Sequence, residues 1–304
     1  MKIELKKYKG VIVPMVSPFK EDYSIDEPAV EKIIESFVDN KVLPFLLGTN
    51  GEVASVSPAQ KMELVKASVK AVDGRVPLLA GLANNSLALS IEEGKRFADM
   101  GVDALVALVP NYYPLDDKQA LNWFTKLADS VTVPLFLYNI PITTHHSVSL
   151  DVIEELSHHP NIIGIKDSEH NEERLVASLK RWSHRDDFLF LIGWAAMSQF
   201  GLQHGADGIV PSVANLVPEL YQSLYEASIQ NNTAEAERLQ ELTNTVSSYC
   251  QSGRNLSGVI PALKVLMSLK GLCGTTVLPP LMQMEGDELK NYMKEMEEKI
   301  LNQA

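Results

Sequence analysis

The sequence predicts a (β/α)8 barrel followed by a helical extension. Short β-rich runs alternate with stretches of helical period as far as Val210. Strands that alternate with helices indicate a parallel sheet, and eight repeats favour a closed barrel over an open doubly wound sheet. No G-x-G-x-x-G pattern follows the first strand, which weakens the dinucleotide-binding alternative further.

The predicted strands share an enrichment in apolar and β-branched residues. They are Val11–Pro14, Val42–Leu47, Val76–Leu82, Asp103–Val109, Val133–Tyr138, Asn161–Lys166, Phe188–Ile192 and Asp207–Val210. The intervening helices carry start and stop signals. Ser57 is a predicted N-cap with Pro58 at the first helical position, and Gly101 is a predicted helix stop.

From about Asn215 onward the sequence shows only helical pattern. The predicted helical segments are 217–229, 233–252, 257–270 and 286–301. We therefore predict a barrel domain over residues 1–230 and a helical extension over residues 231–304. No low-complexity linker separates the two, so the extension is expected to pack on the barrel.

Composition excludes several classes of protein. The 304-residue chain is 45% hydrophobic, with a net charge of −12 and a pI of about 5.1, which argues against nucleic acid and anionic membranes as partners. Cys250 and Cys273 show no metal or redox spacing, which favours a reduced, cytoplasmic protein. Met1–Gly10 has no apolar core, so no signal peptide is predicted. No apolar run approaches the roughly 20 residues of a membrane span.

The stretch "NIIGIKDSEH", residues 161–170, places Lys166 at the end of a strand that reads as buried on both faces. Removing a lone ammonium from water is costly, so burial favours the neutral amine, which is a nucleophile. Barrel enzymes place their chemistry at the carboxyl ends of the strands. Lys166 is therefore the first candidate for a catalytic residue.

Other strand ends bring hydroxyls, phenols and glycines to the same mouth of the barrel. These ends are "GTNGE" at 48–52, "VPNYYP" at 109–114, "YNIP" at 138–141, Gly193, and "GIVPS" at 208–212. Lysine amines form Schiff bases with carbonyls, a phenol can move protons, and backbone N–H groups in a glycine-flanked turn can hold a carboxylate. The sequence therefore predicts a site for a carbonyl compound that bears a carboxylate.

"GTNGE", "YNIP" and "GIKDS", in this order and at these separations, resemble the dihydrodipicolinate synthase / N-acetylneuraminate lyase family of pyruvate-dependent class I aldolases. "MVSPF" at 15–19 and "GADGIVPSVANLVPEL" at 205–220 extend the resemblance from about Gly10 to about Leu220. The resemblance implies a carbon–carbon lyase that uses a Schiff base. Such a mechanism needs no organic cofactor or metal, and the sequence has no H-x-H or H-E-x-x-H metal motif.

The resemblance implies four catalytic residues. Lys166 matches the lysine that forms the Schiff base with pyruvate, and Tyr138 matches the proton-transferring tyrosine beside it. Thr49 matches the hydroxyl that relays protons toward Tyr138. Tyr112 matches a tyrosine that reaches in from a neighbouring subunit, which implies a homodimer or a dimer of dimers, and Tyr113 is its rival for that position.

Three further positions match the pyruvate-binding pocket of the family. Gly193 and Val210 match residues that line it. Asn50 stands where the family commonly has a threonine or serine that helps to bind the pyruvate carboxylate. An amide N–H can still donate a hydrogen bond there.

Thr143 departs from the synthase branch of the family, which has an arginine there for the carboxylate of the incoming semialdehyde. Threonine cannot form a bidentate clamp on a carboxylate. His145 and His146 follow where the family usually has a glycine. They either contact a polyhydroxy acceptor or are exposed loop imidazoles, and the second interpretation is favoured. Trp194 either shapes the acceptor side or packs against the seventh helix.

The sequence thus predicts an aldolase that cleaves a 2-keto acid to pyruvate and an aldehyde, or catalyses the reverse reaction. A 2-keto-3-deoxy sugar acid or a sialic-acid-like compound is the expected substrate. One alternative is a 4-hydroxy-tetrahydrodipicolinate synthase with a displaced arginine, such as Arg174 or Arg254. Others are a dehydratase of the same family, since an imine also permits elimination, and a non-catalytic relative that binds a keto acid.

Overall fold

The computed structural model describes residues 4–301 and confirms the (β/α)8 barrel; residues 1–3 of the segment Met1–Gly10 lie outside the described part. Eight parallel strands pair in chain order, and the first strand pairs with the last to close the barrel. The strands are β1 Gly10–Pro14, β2 Leu43–Leu46, β3 Leu79–Leu82, β4 Ala104–Leu108, β5 Leu135–Asn139, β6 Ile162–Asp167, β7 Leu189–Ile192 and β8 Gly208–Ile209.

Helices surround the barrel and form the carboxyl-terminal extension. Those up to β8 are α1 Glu27–Asp39, α2 Pro58–Val72, α3 Leu87–Met100, α4 Asp117–Ser130, α5 Pro141–Thr144, α6 Leu150–Leu156, α7 Glu172–Trp182 and α8 Ser198–Gln203. Those after β8 are α9 Pro218–Ile229, α10 Thr233–Gln251, α11 Leu256–Leu269 and α12 Gly286–Leu301. The four helical segments predicted at the carboxyl end are therefore present.

Two local sequence signals set helix ends as predicted. The Ser57 side chain accepts a hydrogen bond from the Gln60 N–H, and the Gln60 side chain accepts one from the Ser57 N–H, which forms a capping box at α2. Gly101 ends α3 with φ of 105°, a backbone conformation that favours glycine.

The third strand begins three residues later than predicted, at Leu79 rather than Val76. Pro77 has no N–H to contribute to a strand ladder. The next N–H, that of Leu78, donates to Oδ2 of Asp103 at 3.0 Å instead of to a neighbouring strand. Regular pairing of β3 therefore starts only after these two residues.

Side chains from alternate strand positions fill the inside of the barrel. They include Ile12, Phe45, Val106, Phe136 and Leu191, all of them buried. Gly164 in β6 allows a close approach at this level, because a Cβ there would lie 2.5 Å from the Leu189 carbonyl oxygen and 2.7 Å from the Phe136 ring. This packing fixes the strand that carries Lys166.

The carboxyl-terminal helices pack against the barrel and its loops. Oε1 of Gln240 in α10 accepts a hydrogen bond from the Gln199 N–H at 2.8 Å, and its Nε2 donates to the Ala195 carbonyl at 3.1 Å. The domain boundary near residue 230 stays a prediction. Among residues 4–301, no helix combines the length and apolar character that crossing a membrane requires.

Candidate active site

Lys166 lies in β6, a strand whose six residues are all buried. The side chain of Lys166 is directed at aromatic rings: Nζ lies 4.0 Å from the ring centroid of Tyr138 and 5.0 Å from that of Phe45. The buried Lys61 and Lys264 each form a salt bridge with a glutamate, whereas Lys166 forms none with a carboxylate in residues 4–301. No described anion therefore compensates a positive charge at this position.

Tyr138 lies directly beside Lys166, since the two residues are register partners in the parallel pair β5–β6. Its ring is buried and meets the Phe45 ring edge to face, with centroids 6.4 Å apart. The Tyr138 hydroxyl is 3.3 Å from Oγ1 of Thr49, and either atom can donate. The structure thus brings Lys166, Tyr138 and Thr49 together as the sequence predicts.

The turn at residues 48–52 holds Thr49 and Asn50 after β2. Gly51 is needed for its tight packing, because a Cβ there would lie 3.0 Å from the Leu47 nitrogen and 3.2 Å from the Met15 carbonyl oxygen. Its carbonyl accepts a hydrogen bond from Oγ of Ser17 at 2.7 Å. Nδ2 of Asn50 is buried and finds no acceptor within residues 4–301. This donor is therefore free to bind a carboxylate oxygen.

Gly193 and Val210 flank the lysine at the ends of β7 and β8. A Cβ on Gly193 would lie only 1.9 Å from Oγ of Ser168, so a larger residue there would displace the segment that follows Lys166. The Gly193 N–H donates to the Asp167 carbonyl at 2.7 Å. Val210 lines a small interior cavity of about 10 Å³ together with Lys166. Both residues therefore adjoin the lysine in space.

A cavity of about 520 Å³ opens beside Thr49, between the barrel mouth and the carboxyl-terminal extension. Its lining is mainly apolar, with Val53, Leu108, Val109, Pro110, Leu256, Ile260, Pro280 and Leu281 among the contributing residues. Thr143 also lines it, and Oγ1 of Thr143 donates to the Ile140 carbonyl at 3.2 Å. Of the described lining residues, none carries a positive charge.

The two arginines considered as displaced carboxylate clamps do not line this cavity. Nε of Arg174 donates to Oδ2 of Asp167 at 2.7 Å and lies 3.4 Å from Oε2 of Glu169. The guanidinium of Arg254 lies 4.7 Å from the ring centroid of Tyr292. Arg174 is thus engaged by carboxylates, and Arg254 lies against α12.

Tyr112 and Tyr113 lie on the loop after β4 and are 76% and 71% exposed. Oδ1 of Asn85 accepts the N–H groups of Asn111 and Tyr112 at 2.8 and 3.1 Å, which anchors the loop. Within the described chain, no hydrogen bond joins the Tyr112 hydroxyl to Thr49 or Tyr138. A single chain therefore does not bring Tyr112 into the group formed by Lys166, Tyr138 and Thr49.

The exposure of the two loop histidines agrees only in part with the prediction. His145 is exposed, as favoured from the sequence, but His146 is half-buried, and its Nε2 has no hydrogen-bond partner within residues 4–301. Trp194 stacks on His170, with ring centroids 5.0 Å apart and an interplanar angle of 14°. Burial lowers the pKa of His170. No group of three or more potential metal ligands occurs in the part of the chain that the structure describes.

Glu52 and Lys264 form a buried ion pair that the sequence analysis missed. Glu52 is the last residue of "GTNGE", and Lys264 interrupts the apolar run Val259–Met267. The sequence signal of Lys264 is the same one that drew attention to Lys166, a lysine in an apolar segment. Lys264 differs in lying on a helix outside the barrel, whereas catalytic residues of barrel enzymes lie at the carboxyl ends of strands.

A barrel whose mouth presents a buried lysine beside a tyrosine and a threonine hydroxyl has the groups that Schiff-base chemistry requires. The chain belongs to the dihydrodipicolinate synthetase family, whose model matches residues 7–299. Members of this family are lyases and synthases of the pyruvate Schiff-base type.

Several proteins are similar to this chain over nearly its full length. An uncharacterized DapA-like lyase of Halobacterium salinarum is 30% identical over 92% of this chain and 90% of that protein. A 4-hydroxy-tetrahydrodipicolinate synthase of Staphylococcus carnosus is 31% identical over 93% and 94%. The structure of a dihydrodipicolinate synthase from Bacteroides thetaiotaomicron superposes with a TM-score of 0.91 at 31% identity, covering 98% of this chain and 100% of the other.

Proposed function

We propose that the protein is a pyruvate-linked class I aldolase that cleaves a 2-keto acid to pyruvate and an aldehyde, or catalyses the reverse condensation. A 2-keto-3-deoxy sugar acid or a sialic-acid-like compound is the proposed substrate. One observation carries this proposal: Lys166 is buried without a carboxylate partner, and its Nζ lies against Tyr138, whose hydroxyl meets Thr49.

In this mechanism the neutral amine of Lys166 attacks the C2 carbonyl, and loss of water gives an imine. The hydroxyl on C4 then loses its proton, the C3–C4 bond breaks, and its electron pair moves toward the imine to form an enamine. Tyr138 accepts the proton and Thr49 relays it, since their oxygens are 3.3 Å apart. Protonation of C3 and hydrolysis of the imine release pyruvate and restore Lys166.

Asn50 is the residue proposed to bind the carboxylate of the substrate. Its buried Nδ2 has no acceptor among the described residues, so a substrate carboxylate would satisfy a donor that is otherwise unmet. Gly193 and Val210 adjoin Lys166 and would lie beside C3 of the bound pyruvate.

The absence of a cation among the described residues of the 520 Å³ cavity supports a neutral or hydroxylated aldehyde as the partner. Thr143 and Thr144 offer hydroxyls there, but both already donate to the Ile140 carbonyl. The aldehyde of aspartate carries a carboxylate, which would enter this cavity without a guanidinium to pair with.

A second candidate function is 4-hydroxy-tetrahydrodipicolinate synthesis from pyruvate and aspartate semialdehyde. The names of the relatives at 31% identity favour it. A family dehydratase would use the same imine for elimination. The presence of both Lys166 and Tyr138 argues against a non-catalytic keto-acid-binding protein.

Trapping of the imine tests the proposal. Borohydride reduction with pyruvate is expected to add one pyruvate-derived mass to the peptide that contains Lys166, and the Lys166→Ala variant should fold without forming the adduct. Lys180→Ala, which removes an exposed lysine, is the matched control and should retain the adduct. Absence of an adduct in the wild type, or an adduct on another lysine, would contradict the aldolase assignment.

Turnover assays decide between the two candidates. Pyruvate release is measured from a panel of 2-keto-3-deoxy sugar acids, and condensation is measured with aspartate semialdehyde alongside neutral aldehydes. The proposal expects a lower kcat/KM for the semialdehyde than for at least one hydroxylated aldehyde. A kcat/KM for the semialdehyde above that for every sugar-derived aldehyde tested would favour the synthase instead.

Tyr112 completes the proposed proton relay from a partner subunit of a cytoplasmic homodimer or dimer of dimers. Its exposure and the adjacent Tyr113 support this, because paired exposed tyrosines on one loop are common at interfaces. A two-fold contact would place each Tyr112 in the other copy's site. Mixing Lys166→Ala with Tyr112→Phe subunits should recover part of the activity, and no recovery despite proven subunit exchange would reject the crossing.

A further inference from the structure

The Glu52–Lys264 pair joins the turn that carries Thr49 and Asn50 to the carboxyl-terminal extension. Neither side chain has exposed surface, and Nζ of Lys264 lies 2.5 Å from Oε1 of Glu52. Nζ also donates to the Thr276 carbonyl at 2.7 Å, and Oε2 of Glu52 accepts the Leu278 N–H at 2.7 Å. The pair therefore holds three separate segments of the chain in one hydrogen-bonded group.

Stability alone does not account for such a pair. Taking two charges out of water is costly, and replacing a buried ion pair by apolar residues of similar volume is often neutral or stabilising. Burial lowers the pKa of Lys264, and the nearby Glu52 carboxylate opposes this effect. What the pair provides beyond an apolar contact is direction, because its hydrogen bonds fix the orientation of Glu52.

Glu52 is coupled to Thr49 through the backbone. Its N–H donates to the Thr49 carbonyl at 3.1 Å, and its own φ is +56°, an unusual conformation for a residue with a side chain. The contact between Thr49 Oγ1 and the Tyr138 hydroxyl is already 3.3 Å, toward the long end of the hydrogen-bond range. A small rotation of the turn would therefore break this contact.

The other end of the pair reaches the opposite wall of the same cavity. Ile260 lies one helical turn before Lys264 in α11, and Pro280 and Leu281 follow the segment that contains Thr276 and Leu278. All three line the 520 Å³ cavity together with Thr49. One buried group thus connects the proton-relay turn to the wall that the extension contributes.

We propose that Glu52 and Lys264 are positioning residues, which hold Thr49 in register with Tyr138 from the carboxyl-terminal extension and thereby set the rate of proton transfer. This inference rests on the proposed aldolase function. Glu52 belongs to the lining of the 520 Å³ cavity, but neither side chain of the pair has exposed surface with which to contact a substrate. Imine formation at Lys166 on another strand does not depend on the pair, whereas cleavage, which requires the Tyr138–Thr49 relay, does.

Three variants test the inference: Glu52→Gln, Lys264→Met and the double variant. The expected result is a fall in kcat of roughly 10- to 100-fold in each, since a small misplacement of a relay group has an effect of this order. Borohydride trapping of pyruvate should be unchanged, and KM should change less than kcat. The double variant should lose no more than the more severe single variant, because the two residues act as one unit.

Asp207→Asn is the matched control. Asp207 is also a buried carboxylate that pairs with a lysine, Lys9 at 2.7 Å, and accepts a backbone N–H, that of Phe190 at 2.9 Å. It lies at the amino end of β8, away from the mouth. The control should lose thermal stability with kcat unchanged, which separates positioning from a general loss of stability.

Hydrogen exchange supplies a readout that does not require turnover. In Glu52→Gln, whose amide can still accept the Leu278 N–H, exchange should rise in the peptide that spans residues 48–52 but not in β5 or β6. The inference would be overturned if the variants kept the wild-type kcat, if their exchange were unchanged, or if adduct formation fell in parallel with turnover. The proposed function would still stand in these cases, provided that the wild type forms the adduct. A wild type that forms no adduct would overturn both.

Discussion

Two buried lysines in different regions of the molecule make the most informative comparison. Lys264 in α11 has no exposed surface and is held by the Glu52 carboxylate and the Thr276 carbonyl. Lys166 in β6 is 4% exposed, its Nζ lies over the rings of Tyr138 and Phe45, and it forms no salt bridge within residues 4–301. Both lysines interrupt an apolar stretch of sequence, but only Lys264 has a carboxylate partner among the described residues.

A lysine paired with a buried carboxylate has its amino group engaged in hydrogen bonds. A lysine without such a partner has an amine that no carboxylate holds, and that amine is available to a carbonyl. The comparison predicts that Lys166 matters for activity and little for stability, and that Lys264 matters strongly for stability.

The largest expected effect is on activity, from Lys166→Met. This change should lower kcat/KM by at least about 10³-fold, because it removes the nucleophile. The free energy of unfolding should change by less than about 1.5 kcal/mol, since methionine keeps the apolar stem and no ion pair is lost. Steady-state kinetics and denaturant unfolding measure the two quantities. A large loss of stability would remove the distinction between the two lysines.

The same substitution in the other region, Lys264→Met, should lower the free energy of unfolding by about 3–5 kcal/mol. It leaves the Glu52 carboxylate buried without its partner. Denaturant unfolding against the wild type measures this difference. If Lys264→Met is as stable as Lys166→Met, the two lysines are not the opposites that their contacts indicate.

A cation added at the barrel mouth should change which aldehyde the site prefers. Thr143→Arg places a guanidinium in the wall of the cavity, which has no positive charge among its described residues. The ratio of kcat/KM for aspartate semialdehyde to that for a neutral aldehyde should rise by roughly 10- to 100-fold, because a carboxylate would gain a charged partner. Thr143→Gln, of similar reach without charge, is the control and should leave the ratio near its wild-type value.

The smallest expected effect concerns pH and Cys273, a half-buried thiol whose charge would interact with that of Lys264. Burial raises the pKa of the Cys273 thiol to about 11 from its usual value of 9.0. The unfolded chain then ionises at a lower pH than the folded chain, so the thiol's contribution is present below pH 9 and is lost as pH rises toward 11. Between those values the wild type should lose about 1–2 kcal/mol more than Cys273→Ala. Equal losses in the two proteins would place the thiol in contact with water.

The sequence could predict the features that depend on local pattern. Strand β6 with Lys166, the N-cap at Ser57, and the stop at Gly101 follow from short stretches and were confirmed. The predicted start of β3 at Val76 is wrong, because Pro77 has no N–H for the strand ladder and regular pairing begins at Leu79. The partial burial of His146 was also missed, since it depends on how α5 packs against its neighbours.

The Glu52–Lys264 pair could not be predicted, because its two residues lie 212 positions apart and meet only in the folded chain. A lysine in an apolar run was visible at both Lys166 and Lys264, but the sequence does not show which one has a carboxylate partner. The crossing of Tyr112 into a second subunit stays a prediction, since a single chain does not test it.

In the proposed mechanism Lys166, and not Lys264, carries the imine. The most direct measurement of this is peptide mass mapping after borohydride reduction with pyruvate, in the wild type and in Lys166→Met and Lys264→Met. We expect one pyruvate-derived adduct on the Lys166 peptide in the wild type and in folded Lys264→Met, and none in Lys166→Met. An adduct on the Lys264 peptide, or one that persists in Lys166→Met, would contradict this mechanism.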